Sequence, residues 1–142
     1  MTPQTYATHR RLDPLFHGVL GALYLGVLGL AVIFFLRQRD MGGIWRLLLA
    51  FGLVLHWFRT RSFALRVQDR VIRLEEQLRM ARILPADLQA RVAELRPTQF
   101  VGLRFASDAE LADRVREALA ENLDGEAIKK RIQVWRPDTF RV

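Results

Sequence analysis

A run of 22 residues without a charged side chain restricts the fold of this chain more than any other feature of its sequence. The run extends from Leu15 to Leu36. As an α-helix it would be roughly 33 Å long, enough to cross a hydrocarbon core of roughly 30 Å. A signal peptide has a shorter apolar core followed by small residues, whereas this run is followed by Arg37-Gln38-Arg39-Asp40. The sequence therefore predicts a transmembrane helix, which begins where Asp13-Pro14 supplies a cap and a proline at the first helical position.

A second apolar run follows closely, from Leu47 to Phe58. It is too short to span alone, but Trp45 extends it and the long side chain of Arg46 can reach the headgroups. Because Gly42-Gly43 is expected to interrupt the helix, the two runs should be antiparallel neighbours. The alternative is a second helix that is buried in a partner or lies on the membrane surface.

These runs divide the chain into four parts of an all-α protein. A transmembrane hairpin is followed by a long amphipathic helix and a small helical tail, and no alternating pattern long enough for a β-sheet is present. The predicted parts are an N-terminal cytoplasmic arm (1–14), the hairpin (15–58, with spans of about 15–36 and 43–58), a basic juxtamembrane helix (59–84) and a cytoplasmic tail (85–142).

A basic chain suggests binding to nucleic acid, but the position of the charge along this chain argues against that function. The net charge is +7, but residues 1–84 carry all of the excess, while residues 85–142 contain ten basic and ten acidic residues. A tail without surplus positive charge is not expected to bind nucleic acid. The excess arginines flank the apolar runs, as in proteins whose basic loops remain in the cytoplasm.

Arginine counts near the ends of the spans predict the orientation. The loop between the spans carries Arg37 and Arg39, whereas more arginines lie on the other side. We therefore expect both termini on the cytoplasmic side of the membrane. The arginines expected to fix the orientation and contact lipid headgroups are Arg10, Arg11, Arg59, Arg61, Arg66 and Arg70.

An apolar stripe marks the helix that follows the second span. No Gly or Pro occurs from Ser62 to Leu84, and apolar residues recur at spacings of four and three. This pattern is typical of a coiled-coil seam, although it lasts little more than two heptads, and packing on the tail would need the same face. We call this set the α2 stripe; it consists of Val67, Val71, Leu74, Leu78 and Ala81.

The tail is predicted to form three or four short helices. One is expected between Pro85 and Pro97, and another after the possible capping box Ser107 to Glu110. Asp124-Gly125 should turn the chain into the last helix, with Ile128, Ile132 and Trp135 on its apolar face. A short apolar segment lies over residues 98–105. Because so small a bundle is marginally stable alone, we expect the preceding helix to complete its core, with Phe100, Phe105 and Trp135 buried.

Three segments of the chain resemble an uncharacterised family of small bacterial membrane proteins, known only as a domain of unknown function. The resemblance covers nearly the whole chain. It implies a bacterial protein with two spans and a cytoplasmic helical tail, and it implies no activity, cofactor or substrate. The segments are Tyr6 to His17 (YATHRRLDPLFH), Ala64 to Glu76 (ALRVQDRVIRLEE) and Leu103 to Leu111 (LRFASDAEL).

Small residues on the first span suggest how it packs. Gly18, Ala22 and Gly26 recur every four residues, and Gly29 follows. A face of this kind lets another membrane helix approach closely, although glycine can also simply fill an apolar helix. We call these four residues the glycine face.

Two functional hypotheses remain, and neither is enzymatic, since no motif for nucleophilic or metal-dependent catalysis occurs. The first is a noncatalytic accessory or scaffolding subunit that contacts the bilayer and other membrane subunits, or a second copy of itself. The second is a carrier of b-type haem, because an antiparallel hairpin places His17 and His56 at similar depth. Interfacial histidines are the ordinary interpretation of this pair. The absorbance of the purified protein in detergent separates the two hypotheses.

Overall fold

Residues 4–8 and 13–138 are described by a computed structural model, and within these ranges the chain is helical without a β-strand. The first apolar run forms a π-helical turn (Pro14–Leu20) that leads into α1. Two compact units are present: the apolar unit, residues 13–65, and the tail unit, residues 4–8 with 66–138. The α-helices are α1 (Gly21–Gln38), α2 (Met41–Ile83), α3 (Ala86–Gln89), α4 (Pro97–Leu103), α5 (Leu111–Ala120) and α6 (Gly125–Arg131), with a 3-10 turn at Val92–Glu94.

The first apolar helix begins where the sequence predicts. The carboxylate of Asp13 accepts a hydrogen bond from the backbone N–H of Phe16 at 2.8 Å, and Pro14 occupies the first helical position. This cap satisfies one of the amides that a helix N-terminus leaves free. The helical stretch then continues over Pro14–Gln38, 25 residues, and covers the whole first apolar run.

The second apolar run and the amphipathic segment form one continuous helix of 43 residues. The helix therefore does not stop after the second run, as the absence of Gly and Pro predicts. The expected interruption at Gly42-Gly43 is wrong, because both residues lie inside α2. The chain turns at Arg39, whose φ of 49° is left-handed, and at Asp40, whose side chain accepts from the Gly43 amide at 2.6 Å.

The tail unit has a closed hydrophobic core to which α2 contributes. Met80 and Leu84 of α2 join residues of α3 to α6 in one buried cluster. Phe100 and Phe105 are fully buried, as expected, and Trp135 is half-buried with its ring 5.0 Å from that of Phe105. The second half of α2 thus completes the core of the tail.

Two glycines allow α4 and α6 to approach each other closely. A Cβ atom built on Gly102 would lie 2.8 Å from the carbonyl oxygen of Gly125, and one built on Gly125 would lie 2.5 Å from the carbonyl oxygen of Thr98. Only residues without a side chain fit here, so the two backbones nearly touch.

Three local predictions for the tail are wrong. Pro97 begins α4 instead of ending a helix, and the segment before it divides into α3 and a 3-10 turn. Ser107 does not cap α5, because the residues up to Glu110 form a turn and the Glu110 carboxylate accepts from the amides of Gln133 and Val134. Trp135 lies beyond the end of α6, in an isolated β-bridge with Ala106. The Asp124 cap of α6 is present, with its carboxylate 2.7 Å from the Ala127 amide.

Candidate functional site

The α2 stripe faces away from the core of the tail unit. The exposed fractions of Val67, Val71, Leu74 and Leu78 are 63%, 49%, 59% and 54%, and Ala81 is exposed as well. The expectation that packing on the tail would use this stripe is wrong. The tail packs instead against the row Ile72, Glu76 and Met80, which are all buried. The stripe is consequently an apolar surface without a partner in the single chain.

A buried carboxylate holds the tail against α2. Glu76 is 4% exposed and accepts hydrogen bonds from Arg79 at 3.0 Å and from Arg136 at 3.2 Å. Arg79 also donates to the Asp108 carboxylate at 2.6 Å and to the Ala106 carbonyl at 2.7 Å. Burial raises the pKa of the Glu76 carboxyl, and the two arginines oppose that effect. We call these groups the Glu76 network.

An open groove borders both the Glu76 network and the α2 stripe. Its volume is about 520 Å³. Three arginines and two carboxylates line it, so its wall carries charges of both signs. Its lining includes Glu75, Leu78 and Arg82 from α2 and Asp108 and Arg136 from the rest of the tail unit.

The N-terminal arm also belongs to the tail unit. The hydroxyl of Tyr6 donates to Glu126 at 3.3 Å, and the ammonium of Lys130 lies 5.8 Å from the centre of the Tyr6 ring. The side-chain oxygen of Gln4 accepts from the Asp138 amide at 2.7 Å. Two ends of the chain that are more than a hundred residues apart are thereby brought together.

The apolar unit leaves most of its apolar surface uncovered. In the most apolar window of each long helix, only 11% of the residues are buried. Trp57 of α2 contacts the first part of the preceding helical stretch. The indole N–H of Trp57 donates to the Phe16 carbonyl at 3.1 Å, and its ring lies 3.0 Å from where Gly21 would carry a Cβ. Ala31 and Ala50 are buried.

The glycine face lies in open space. Apart from each glycine's chain neighbours and its own helical turn, none of the described residues comes within 4 Å of a Cβ built on Gly18, Gly26 or Gly29, and Ala22 is exposed. Packing of this face against another protein stays a prediction. The glycine that does contact α2 is Gly21, which sequence reasoning missed because its partner, Trp57, could not be aligned with it from spacing alone.

The arginines expected at the headgroups are mostly exposed. Arg59, Arg66 and Arg70 lie on the outer surface of α2, and Arg61 is half-buried. The guanidinium of Arg59 sits 4.7 Å from the centre of the Phe63 ring. Arg10 and Arg11 lie outside the described residues, so their headgroup contact, like that of the others, stays a prediction.

Each of the two candidate haem ligands has a local hydrogen-bonding partner. The Nδ1 atom of His17 is 3.0 Å from the Asp13 carbonyl, and Nε2 of His56 is 3.4 Å from the Thr60 hydroxyl. Their sequence neighbours Phe16 and Trp57 contact each other, with ring centres 5.9 Å apart. These short-range bonds are those of ordinary histidines on a helix. No observation favours haem, and a bis-histidine site stays a prediction.

The fold and these surfaces define a class of protein: an all-helical chain with two helices long and apolar enough to cross a membrane. In residues 4–8 and 13–138, no group of three or more His, Asp or Glu side chains is placed to hold a metal ion. The model of the family of unknown function DUF6526 matches residues 1–142, so the chain belongs to that family. Comparisons with curated proteins and with solved structures find no match.

Proposed function

We propose that this chain is a noncatalytic accessory or scaffolding subunit of a bacterial inner-membrane complex. In this proposal α1 and the first part of α2 form a transmembrane hairpin, and the tail unit lies in the cytoplasm. The subunit packs on other membrane proteins through its spans and docks a partner with its tail.

The observation that carries the proposal is the contact between the N-terminal arm and the tail. Tyr6 and Gln4 bond to Glu126 and Asp138, which supports a topology with the arm and the tail on one side of the membrane. The segment between them, residues 13–65, then crosses the bilayer an even number of times. Two crossings match its two apolar helices.

The uncovered surface of the two helices supports the same conclusion. A soluble protein would bury these side chains in its core, yet Leu23, Leu30, Leu49 and Phe51 are all more than half exposed. Hydrocarbon is the environment in which such a surface is stable. The arginines at the end of the second run favour the cytoplasm for the side that holds the arm and the tail.

The topology predicts the outcome of reporter fusions. After Val142, only a reporter that works in the cytoplasm should be active. In the Arg39–Asp40 turn, only a reporter that works in the periplasm should be active. Alkaline phosphatase and green fluorescent protein at each site measure this. A periplasmic C-terminus would reverse the orientation, and both sites on one side would exclude two spans.

A leucine on the glycine face should weaken assembly with other membrane subunits. A Cβ on Gly26 meets none of the described residues within 4 Å, so Gly26→Leu leaves the chain's own packing intact while preventing close approach of another helix. We expect lower recovery of co-purifying proteins from native membranes. Leu28→Val, a half-buried position on the same helix, is the matched control. Equal recovery for both variants would show that the glycine face is not an interface.

A further inference from the structure

We propose that the α2 stripe is the seam of a parallel, in-register dimer with a second copy of this chain. The proposal rests on the proposed function, because it requires both copies to be anchored in one bilayer. It assigns an occupant to the large apolar surface that the tail unit leaves exposed.

The heptad positions along α2 suit a two-stranded coiled coil. With Val71 and Leu78 at position a, position d holds Val67, Leu74 and Ala81. A β-branched residue at a, as in Val71, together with leucine at d, as in Leu74, favours parallel pairs of helices. The stripe is therefore an exposed apolar seam with one a/d pair of the two-stranded kind, Val71 and Leu74, which Val67, Leu78 and Ala81 extend as apolar residues.

The charged residues beside the stripe are complementary between two copies. In a parallel dimer each g residue faces the e residue five positions later in the other chain. Arg70 at g then faces Glu75 of the second copy, and two-fold symmetry forms the same pair twice. The next pair joins Gln77 to Arg82, so no like charges face each other. Neither Arg70 nor Glu75 belongs to the Glu76 network.

An antiparallel arrangement gains no ion pair from these residues. If a and d positions of opposite helices pack together, Arg70 meets Gln77 and Gln68 meets Glu75. The bilayer also excludes this arrangement, because α2 contains the second apolar run and two copies inserted with one orientation run in the same direction. Charge and anchoring therefore both favour the parallel register.

The tail unit leaves room for the second copy. It covers Ile72, Glu76 and Met80, which occupy heptad positions b, f and c on the side away from the seam. The guanidinium of Arg73, at position c, lies 5.8 Å from the centre of the buried Phe100 ring. One side of the helix thus holds the tail and the other remains free.

The stripe is short for an independent coiled coil, so anchoring has to contribute. Little more than two heptads would associate weakly in solution. Two copies confined to one bilayer meet at a high effective concentration, which makes a weak seam sufficient. A lipid surface or an unrelated protein on the same stripe would need neither the in-register geometry nor the pairing of Arg70 with Glu75.

Cross-linking in native membranes tests the register, because the chain has no cysteine of its own. Leu74→Cys places a thiol at a d position, where copper–phenanthroline, added as the oxidant, should join the thiols of two copies in a disulfide and give a covalent dimer of the full chain. Asp69→Cys, exposed at position f, is the matched control and should stay monomeric. Three results would each overturn the proposal: no dimer of the Leu74→Cys protein, equal dimer in both variants, or capture by the Leu74→Cys thiol of only another protein or only a thiol-reactive lipid.

Charge reversal tests the pairing in the Leu74→Cys background. Arg70→Glu and Glu75→Arg should each reduce the dimer several-fold, and the double variant should restore it, because the exchanged charges again face each other. Loss without restoration would overturn the assigned register. Recovery of the chain in carbonate-washed membranes is measured in parallel. A chain absent from membranes contradicts the proposed function, whereas an inserted chain without the dimer contradicts only this inference.

Discussion

Gly125→Ala is expected to lower the free energy of unfolding of the tail unit by about 3 kcal/mol, at the upper end of the cost of overpacking. The added Cβ would lie 2.5 Å from the Thr98 carbonyl oxygen, which belongs to the backbone and cannot rotate away. The α4–α6 contact would have to open. Gly102→Ala should act in the same direction, since its Cβ would meet the Gly125 carbonyl oxygen at 2.8 Å.

Hydrogen exchange of the full chain in detergent measures this effect through the amides of α4 and α6. Gly52→Ala is the control, because none of the described residues approaches its Cβ within 4 Å and alanine favours a helix. Unchanged protection in the Gly125→Ala protein would mean that the two helices do not meet at these glycines.

Glu76→Ala is expected to destabilise the tail unit by about 2 kcal/mol, because the buried Arg79 loses one of its two carboxylate partners and keeps Asp108. The side chain of Arg79 is only 9% exposed, so water cannot fully replace the lost partner. Glu94→Ala removes an exposed carboxylate that pairs with Arg91 over the same sequence spacing, and it should change little. Equal protection from hydrogen exchange in both variants would contradict a stabilising role for the Glu76 network.

Because the pKa of Glu76 is raised, the stability of the tail unit depends on pH. The folded protein holds this proton more tightly than the unfolded chain, whose carboxyl has the ordinary value of 4.5. The contribution of this group to stability therefore falls as the pH rises from 4.5 through the raised pKa. Glu76→Gln should remove this pH-dependent contribution. It is measured as the difference between the wild-type and variant profiles of unfolding free energy against pH. Identical profiles would exclude a raised pKa.

Sequence reasoning succeeded where the signal is local. The Asp13 and Asp124 caps lie within three residues of the amides that they accept from, and the continuation of α2 beyond the second apolar run follows from the absence of Gly and Pro between Ser62 and Leu84. The prediction that Pro97 ends a helix was wrong because proline occurs both just after a helix and in the first turn of a helix. Its presence alone does not tell an end from a beginning. The prediction that Ser107 caps α5 was also wrong, because the turn there depends on Arg79, which is distant in the sequence.

The face of α2 that contacts the tail could not be found from the sequence. Pattern reasoning selects the most apolar row, but the buried row contains the carboxylate of Glu76. Its charge is accepted in the interior only because Arg136, sixty residues later, donates to it together with Arg79. Such a long-range pairing leaves no periodic signal. The residues of the apolar stripe could therefore be found from the sequence, whereas the direction in which the stripe faces could not.

The contact between the N-terminal arm and the tail also bears on how the protein folds. Gln4 and Asp138 are 134 residues apart, so joining them in a free chain would close a very long loop at a large cost in conformational entropy. In the proposed topology, insertion of the two spans has already brought both segments to the same membrane face. The bilayer then constrains the unfolded chain in much the same way as a cross-link does, and the arm should dock only after both spans are inserted.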